Sequence, residues 1–415
     1  MSLTDLPMSP RLAPTAGVDW ATSNHVICVV DADGEPIDRA TFVHTKAGIE
    51  RLVARLARHG VHSVAIERPD GPVVDAISAA GLVIYVIPPA QIKALRRRYG
   101  SAGNKDDRFD AYVLADTLRT DRRRLTPLEQ DSDATIALRQ LCRARKDLVA
   151  YRIAVANQLR AHLSIALPAA VDLFAAIDSP ISRKFLTRFT TQNALDWLTP
   201  TRLAAWLKAN RYSGRVDPCL LHQRIVEAAR GATGVHGQTL AAITRAYVST
   251  LATIMAQIDE LEEQITTALN AHADKELFTT LPRGGTLRAA RLIGEIGDAR
   301  GRYPTAASLA CLAGVAPSTR ESGNHRVVSF RWAVDKQLRD AIYDFAGDSR
   351  RANPWAANLY NRARARGHDH PHAVRILGRA WIDIIWKCWT QRTPYDPAKH
   401  NALQLLLTQD QRTGG

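Results

Sequence analysis

Apolar and polar positions set two periods along the chain. Residues 18–20 and 25–30 are strand-like, and Asp31-Ala-Asp-Gly34 between two extended runs supplies turn residues. A further strand is predicted over 37–44, a helix over 46–59, and a short buried strand over 61–66 that ends at Glu67. A helix near 73–80, an apolar strand over 82–87 and a helix from Ala90 follow. A hairpin followed by strand–helix alternation predicts a mixed sheet flanked by helices.

Beyond Asp133 the pattern becomes helical. Leu141, Leu148 and Val155 recur every seven residues, and residues 166–235, with Pro168, Pro180, Pro200 and Pro218, read as several short helices. A long helix over 238–272 spaces Leu240, Ile243, Tyr247, Leu251, Ile254, Ile258, Leu261, Ile265 and Leu269 three or four apart. That is a coiled-coil seam able to pair two chains, and a core helix packed within one chain has the same pattern. After Thr280 the composition shifts to Gly, Arg and His. The fold class expected is α/β plus α in three regions: a mixed-sheet domain over 15–125, a helical coiled-coil middle over 126–279, and a mainly helical domain over 280–397.

Charge changes the picture most. The 415 residues carry 55 Lys+Arg against 41 Asp+Glu, a net +14, and 45 of the basic residues are arginines. Guanidinium forks suit phosphate oxygens, so nucleic acid is the leading partner class and an anionic membrane the weaker one. Arg96-Arg97-Arg98, Lys105, Arg122-Arg123-Arg124 and Arg326 are the candidate backbone contacts. No stretch approaches ~18 consecutive apolar residues, so no membrane span is expected. The first 14 residues read as a flexible leader without a signal-peptide pattern, and the five dispersed cysteines suggest a reducing compartment. A cytoplasmic protein is expected.

The candidate chemistry is acidic. Asp19 interrupts a buried strand, Gly17-Val-Asp-Trp-Ala21, and Glu67 ends another, Val64-Ala-Ile-Glu67. A carboxylate buried in a strand is costly unless it is paired or metal-bound. Asp107 and Asp110 are spaced to share one helix face, with Asp106 pointing elsewhere. Four carboxylates from two strands and a helix suit a pair of Mg²⁺ ions, with Mn²⁺ an alternative, acting on a phosphodiester. Their order resembles the ribonuclease-H-like, RuvC-like fold of Holliday-junction resolvases.

These residues, with Lys105 before Asp107 and Ala111 after Asp110, resemble the DEDD insertion-sequence transposases of the "IS one-ten" family, bridge-RNA-guided recombinases. The second half agrees, in Leu281-Pro-Arg-Gly-Gly285, Arg302-Tyr-Pro304, Leu312-Ala-Gly-Val-Ala-Pro317 and Glu321-Ser-Gly323. The resemblance implies that Ser322 is a nucleophile in a composite metal–carboxylate and serine site, cutting DNA through a covalent phosphoserine link. It also implies double-stranded DNA (element ends and target) and a structured guide RNA as partners. The assembly expected is a homodimer or homotetramer, nucleoid-associated in a bacterial cytoplasm when active. Two departures stand out: Arg68 and Asp70 beside Glu67, and His325-Arg-Val-Val-Ser-Phe-Arg-Trp332 after Ser322, where the family carries a Gly/Lys-rich tract. The residues alone leave two other readings open. One is a junction-resolving nuclease that uses metal-activated water; the other is a non-catalytic nucleic-acid-binding protein with structural acids.

Two weaker signals remain. Gly284-Gly285 before a helix resembles a helix-hairpin-helix turn, and His368-Asp-His-Pro-His372 reads as a phosphate-facing loop rather than a metal site.

Overall fold

The computed structural model describes residues 13–99, 106–323 and 325–413. The leader up to residue 12 and Lys105 lie outside the described residues. The chain forms two compact units, one ending at Gln130 and the other beginning at Asp131.

In the first unit, β1 (Thr15–Trp20), β2 (Asn24–Val30), β3 (Pro36–Val43), β4 (Ser63–Ile66) and β5 (Val83–Val86) form one sheet in the order β3-β2-β1-β4-β5. The pairs β1–β2 and β2–β3 are antiparallel, whereas β1–β4 and β4–β5 are parallel. Both faces are covered. Ala16, Val18, Ile27, Val64 and Ile66 pack on one side with α1 (Lys46–Arg58) and α2 (Pro72–Ala79). Cys28, Val30, Ala65 and Tyr85 pack on the other with α3 (Pro89–Tyr99) and α4 (Asp107–Asp121). Thr45 caps α1 through its side chain, and Pro72 opens α2 at a position where its missing N–H costs nothing. The mixed sheet between helices is the arrangement expected of a ribonuclease-H-like domain.

The second unit is built on two long antiparallel helices, α5 (Asp133–Ala166) and α10 (Gly234–Ala271). His162 reaches Thr244, Arg145 reaches Glu262, and Thr135 reaches His272, which fixes their opposed directions. Between them run α6 (Pro180–Arg188), α7 (Gln192–Asp196), α8 (Pro200–Ala209) and α9 (Pro218–Glu227). Pro180, Pro200 and Pro218 thus each start a helix rather than break one. These short helices close one core with Leu159, Leu163, Val248 and Leu251.

A separate core gathers the other end of the hairpin with α11 (Lys275–Thr279), α12 (Gly285–Ile296), α13 (Ala306–Leu312), α14 (Lys336–Ser349), α15 (Pro354–Ala365) and α16 (His370–Gln391). The last helix is α17 (Asn401–Thr413). The expected middle and C-terminal regions therefore share one unit while keeping distinct cores. Sequence patterning did not anticipate the two-stranded ribbon of β6 (Ser318–Ser322) and β7 (His325–Ser329).

The predicted seam on α10 is satisfied within the chain. Its buried stripe is Gly237, Ala241, Thr244, Val248, Leu251, Ile258, Ile265 and Leu269, while Ile243 is exposed. The helix is long and apolar enough to cross a membrane by length and composition. Its stripe nevertheless faces protein, and its second half carries Asp259, Glu260, Glu262 and Glu263.

Candidate functional site

The carboxylates are positioned by strand register. Val18 pairs with Ile66 across the parallel β1–β4 ladder, so the next residues, Asp19 and Glu67, emerge side by side at the carboxyl ends of neighbouring strands. Alternation puts both on one face, because Gly17 precedes Asp19 and Ala65 precedes Glu67 by two residues. That face is covered by α4, which runs opposite to β1. Thr15 Oγ1 donates to the carbonyl of Ala115 at 3.0 Å. A Cβ on Gly17 would lie 2.0 Å from the Ala111 carbonyl oxygen. Two further residues along the strand, Asp19 therefore lies toward the first turns of α4, where Asp107 and Asp110 reside. The sheet and helix direct the four predicted acids to one end of the unit.

They do not gather equally. Asp110 is buried, and Arg96 of α3 grips both its oxygens. Asp107 is exposed at the first helical position, and Asp106 is the N-cap, accepting from the Arg108 N–H. Among the described residues no three His, Cys, Asp or Glu side chains are drawn together closely enough to hold a metal. Arg96 supplies the charge compensation at Asp110. The donor set is nonetheless all oxygen and fits a hard divalent cation in kind.

The departures beside Glu67 turn outward. Arg68 lies over the Trp20 ring at 4.8 Å and reaches Asp70 at 3.3 Å. The positive φ of Gly71 lets the chain pass close to that ring.

The arginine tracts divide. Arg96 serves Asp110, whereas Arg97 and Arg98 are exposed at the end of α3. Arg98 reaches Thr120 and Asp121, and Arg122-Arg123-Arg124 form a 3₁₀ turn directly after α4, with Arg124 also on Asp121. These four arginines sit at the far end of α4 from the acids, about 17 Å along the helix axis from Asp110. Arg122 is further held by the Tyr85 hydroxyl at 3.3 Å.

In the second unit Ser322 ends β6 and pairs in register with His325 across the turn. Gly323 between them has φ +55° and open space around it. Thr319 through Ser322 are exposed, as are His325 and Arg326 on the facing strand. Ser318 and Ser329 pair at the root of the ribbon. The signal for this hairpin is present in the sequence, where the Gly323-Asn324 dipeptide is of a type that favours a tight turn.

Gly284, the N-cap of α12, is required by close packing, since a Cβ would meet the Phe278 carbonyl at 2.5 Å, whereas Gly285 has open space around it and a φ of +52°. The histidine tract forms the start of α16, with Asp369 as N-cap and His370 accepting or donating at the Tyr360 hydroxyl. Burial above all, then His368 and Arg375, lowers the His372 imidazole below its ordinary range.

Comparison with known proteins supplies the context. Residues 16–168 match a family described as "Transposase", of the DEDD type named for IS110, and residues 275–361 match one described as "Transposase IS116/IS110/IS902 family". The mini-circle protein of IS117 from Streptomyces coelicolor is 33% identical over 92% of this chain and 94% of its own length. The insertion element IS900 protein of Mycobacterium paratuberculosis is 29% identical over 93% of this chain and 98% of its own. T. thermophilus RuvC, solved with a Holliday-junction substrate, aligns over 28% of this chain and 99% of its own at 19% identity, with a TM-score of 0.23, too slight a likeness to carry weight. The two matched segments include all four acids and Ser322, and the relatives align almost end to end. The chain belongs to the IS116/IS110/IS902 family of transposases, enzymes that cut and rejoin DNA.

Proposed function

We propose that this transposase cuts DNA by attack of the Ser322 hydroxyl and that Asp19, Glu67, Asp107 and Asp110 hold the divalent cations the reaction uses. The observation that carries the reading is the register placing Asp19 beside Glu67 at the strand ends, on the face covered by α4. When bound, Mg²⁺ or Mn²⁺ would supply Lewis-acid stabilisation of charge on phosphate oxygens. For Asp110 to serve as a ligand, the Arg96 side chain would have to release it.

In the cleavage step the Ser322 oxygen forms a bond to phosphorus while the bond from phosphorus to one deoxyribose oxygen breaks. The serine proton leaves to solvent or a base, and the departing oxygen takes up a proton. A phosphodiester count of one is retained, so return attack by a strand hydroxyl rejoins DNA without ATP. Arg97, Arg98, Arg122, Arg123, Arg124 and Arg326 hold nucleic-acid backbones, and the net +14 supports a structured guide RNA alongside DNA. The reaction takes place in the cytoplasm, in a dimer or tetramer.

The test is a covalent complex. Wild-type protein with DNA carrying the element ends is expected to give a species that survives denaturing electrophoresis. Ser322→Ala and Asp19→Asn lose it while still binding DNA, whereas Ser318→Ala and Ser329→Ala keep it. Normal cutting and rejoining by Ser322→Ala would transfer the role of nucleophile to water.

A further inference from the structure

At the root of the β6–β7 ribbon, against the first half of α16, lies a cavity of about 360 Å³. Its lining is largely apolar, including Val315, Pro317, Phe330 and Ile376, and arginines rim it. Small-ligand sites have this size and this balance of apolar wall and few polar groups.

Three observations specify the ligand. Phe330, which lines the cavity, has the Arg375 guanidinium 5.0 Å from its centroid and the Trp332 ring perpendicular to it with centroids 4.8 Å apart. Trp332 is 82% exposed, the same as Val235 and more than the other large apolar side chains recorded as exposed in the described chain. Through its contact with Phe330 the exposed indole stands at the edge of the cavity. The charges are also unusual. Arg288 pairs with Asp344 and Asp348, and Arg379 with Asp383. Arg331 instead donates to the carbonyls of Ala316 and Pro317, and neither it nor Arg375 has a carboxylate partner among the described residues. An apolar cavity with an exposed indole at its edge and guanidinium groups without carboxylate partners among the described residues suits a ligand both aromatic and anionic.

We infer that a nucleobase extruded from the DNA strand is held at this cavity, stacked on the exposed Trp332 indole at its edge, with its flanking phosphates toward Arg331 and Arg375. Base–aromatic stacking with cationic support is the general means of holding unpaired bases. The tip of the ribbon is four register steps from its root, which is about 13 Å. That span equals about four base steps of duplex. The extruded base thus lies a few nucleotides from the bond that is cut; this placement rests on Ser322 being the nucleophile, whereas the stacking does not.

The experiment uses full-length protein without cleavage, so it fails independently of the serine assignment. The probe is a single-stranded oligodeoxynucleotide with a central 2-aminopurine, compared with the same sequence as perfect duplex and as oligoribonucleotide. Wild-type protein is expected to quench the single-stranded DNA probe and to bind it more tightly than Trp332→Ala by roughly 5- to 150-fold. Trp332→Phe restores most of the difference because a π-face remains, and the duplex is bound equally by all three proteins. Trp332 is so exposed that its loss leaves folding unchanged, which circular dichroism checks. Affinities for the DNA probe within twofold between wild type and Trp332→Ala overturn the inference, as does quenching confined to the RNA probe.

Discussion

Asp19 and Glu67 each leave a strand whose preceding four residues are all buried, whereas Ser322 ends a strand whose last four residues are all exposed. The acids are held from two sides, by the parallel ladder below and by α4 above. The serine is held by one antiparallel partner strand, in a two-stranded ribbon of a kind that is marginal alone. The difference follows what each group must do. Under the proposed function, carboxylates that share a cation would need fixed separations and so a rigid frame, while a hydroxyl that attacks DNA would have to reach a bulky polymer. Rigidity and reach are opposed demands, and the two regions answer them separately.

The largest expected effect falls on the rigid side. Gly17→Ala places a methyl group 2.0 Å from the Ala111 carbonyl oxygen and 2.6 Å from the Ala115 nitrogen, both helix backbone. Neither can yield without lifting α4 from β1, at a cost of about 3 kcal/mol or more. Thermal melting should show the first unit destabilised or unfolded. A variant melting like wild type would show that α4 is not clamped to the strand.

Next comes Arg96→Gln. Asp110 is buried and loses its bidentate partner, a deficit of about 3 kcal/mol in the absence of a replacement charge. If Asp110 is a cation ligand, Mg²⁺ should recover much of that loss and raise the melting temperature of the variant more than that of wild type. Equal responses of the two proteins to Mg²⁺ would separate Asp110 from the metal.

How much was readable in advance follows the same division. Asp19 and Glu67 were legible because an acid inside an apolar strand is an anomaly that burial makes expensive. The spacing of Asp107 and Asp110 put both near one helix face, yet only Asp110 is buried, since Asp107 falls at the helix start. Gly17 looked like any strand glycine; its meaning lies in a helix nearly a hundred residues away. Arg96 was read as one of three equivalent arginines, because a charge run does not reveal which member faces a buried carboxylate across a helix pair. Ser322 carried no burial anomaly at all, and only resemblance singled it out. The ribbon that presents it was signalled by Gly323-Asn324, a local cue, whereas the partner of α10 was open between another chain and α5 until tertiary packing decided it.

A smaller effect tests the rigid side by pH. His25 is fully buried, its Nδ1 has no hydrogen-bond partner among the described residues, and its Nε2 meets the His44 Nδ1 at 2.8 Å. Burial first, then the charge of His44, lowers its pKa from the ordinary 6.5. The unfolded chain therefore binds the proton more readily than the fold does. Stability from the neutral imidazole is fully present above pH 6.5 and is lost as pH falls toward the folded-state value, by up to about 1.4 kcal/mol per pH unit. His25→Gln should flatten this slope in melts between pH 7.5 and 5. A slope unchanged in the variant would assign the acid sensitivity elsewhere.

The smallest expected effect on global stability belongs to the ribbon, at the counterpart of Gly17. Gly323 has φ +55°, where an alanine pays about 1–2 kcal/mol of backbone strain, but a Cβ there meets nothing within 4 Å. The ribbon contributes no residue of either strand to the buried core of its unit, so it can open without taking that core with it. Gly323→Ala should therefore leave the cooperative melting of the second unit nearly unmoved while lowering amide-exchange protection of β6 and β7. Covalent complex formation should fall with that protection, because the strained turn spends less time presenting the Ser322 hydroxyl. A melting shift as large as that of Gly17→Ala would mean the ribbon is welded to its core, and the contrast between a rigid acid frame and a yielding serine arm would collapse.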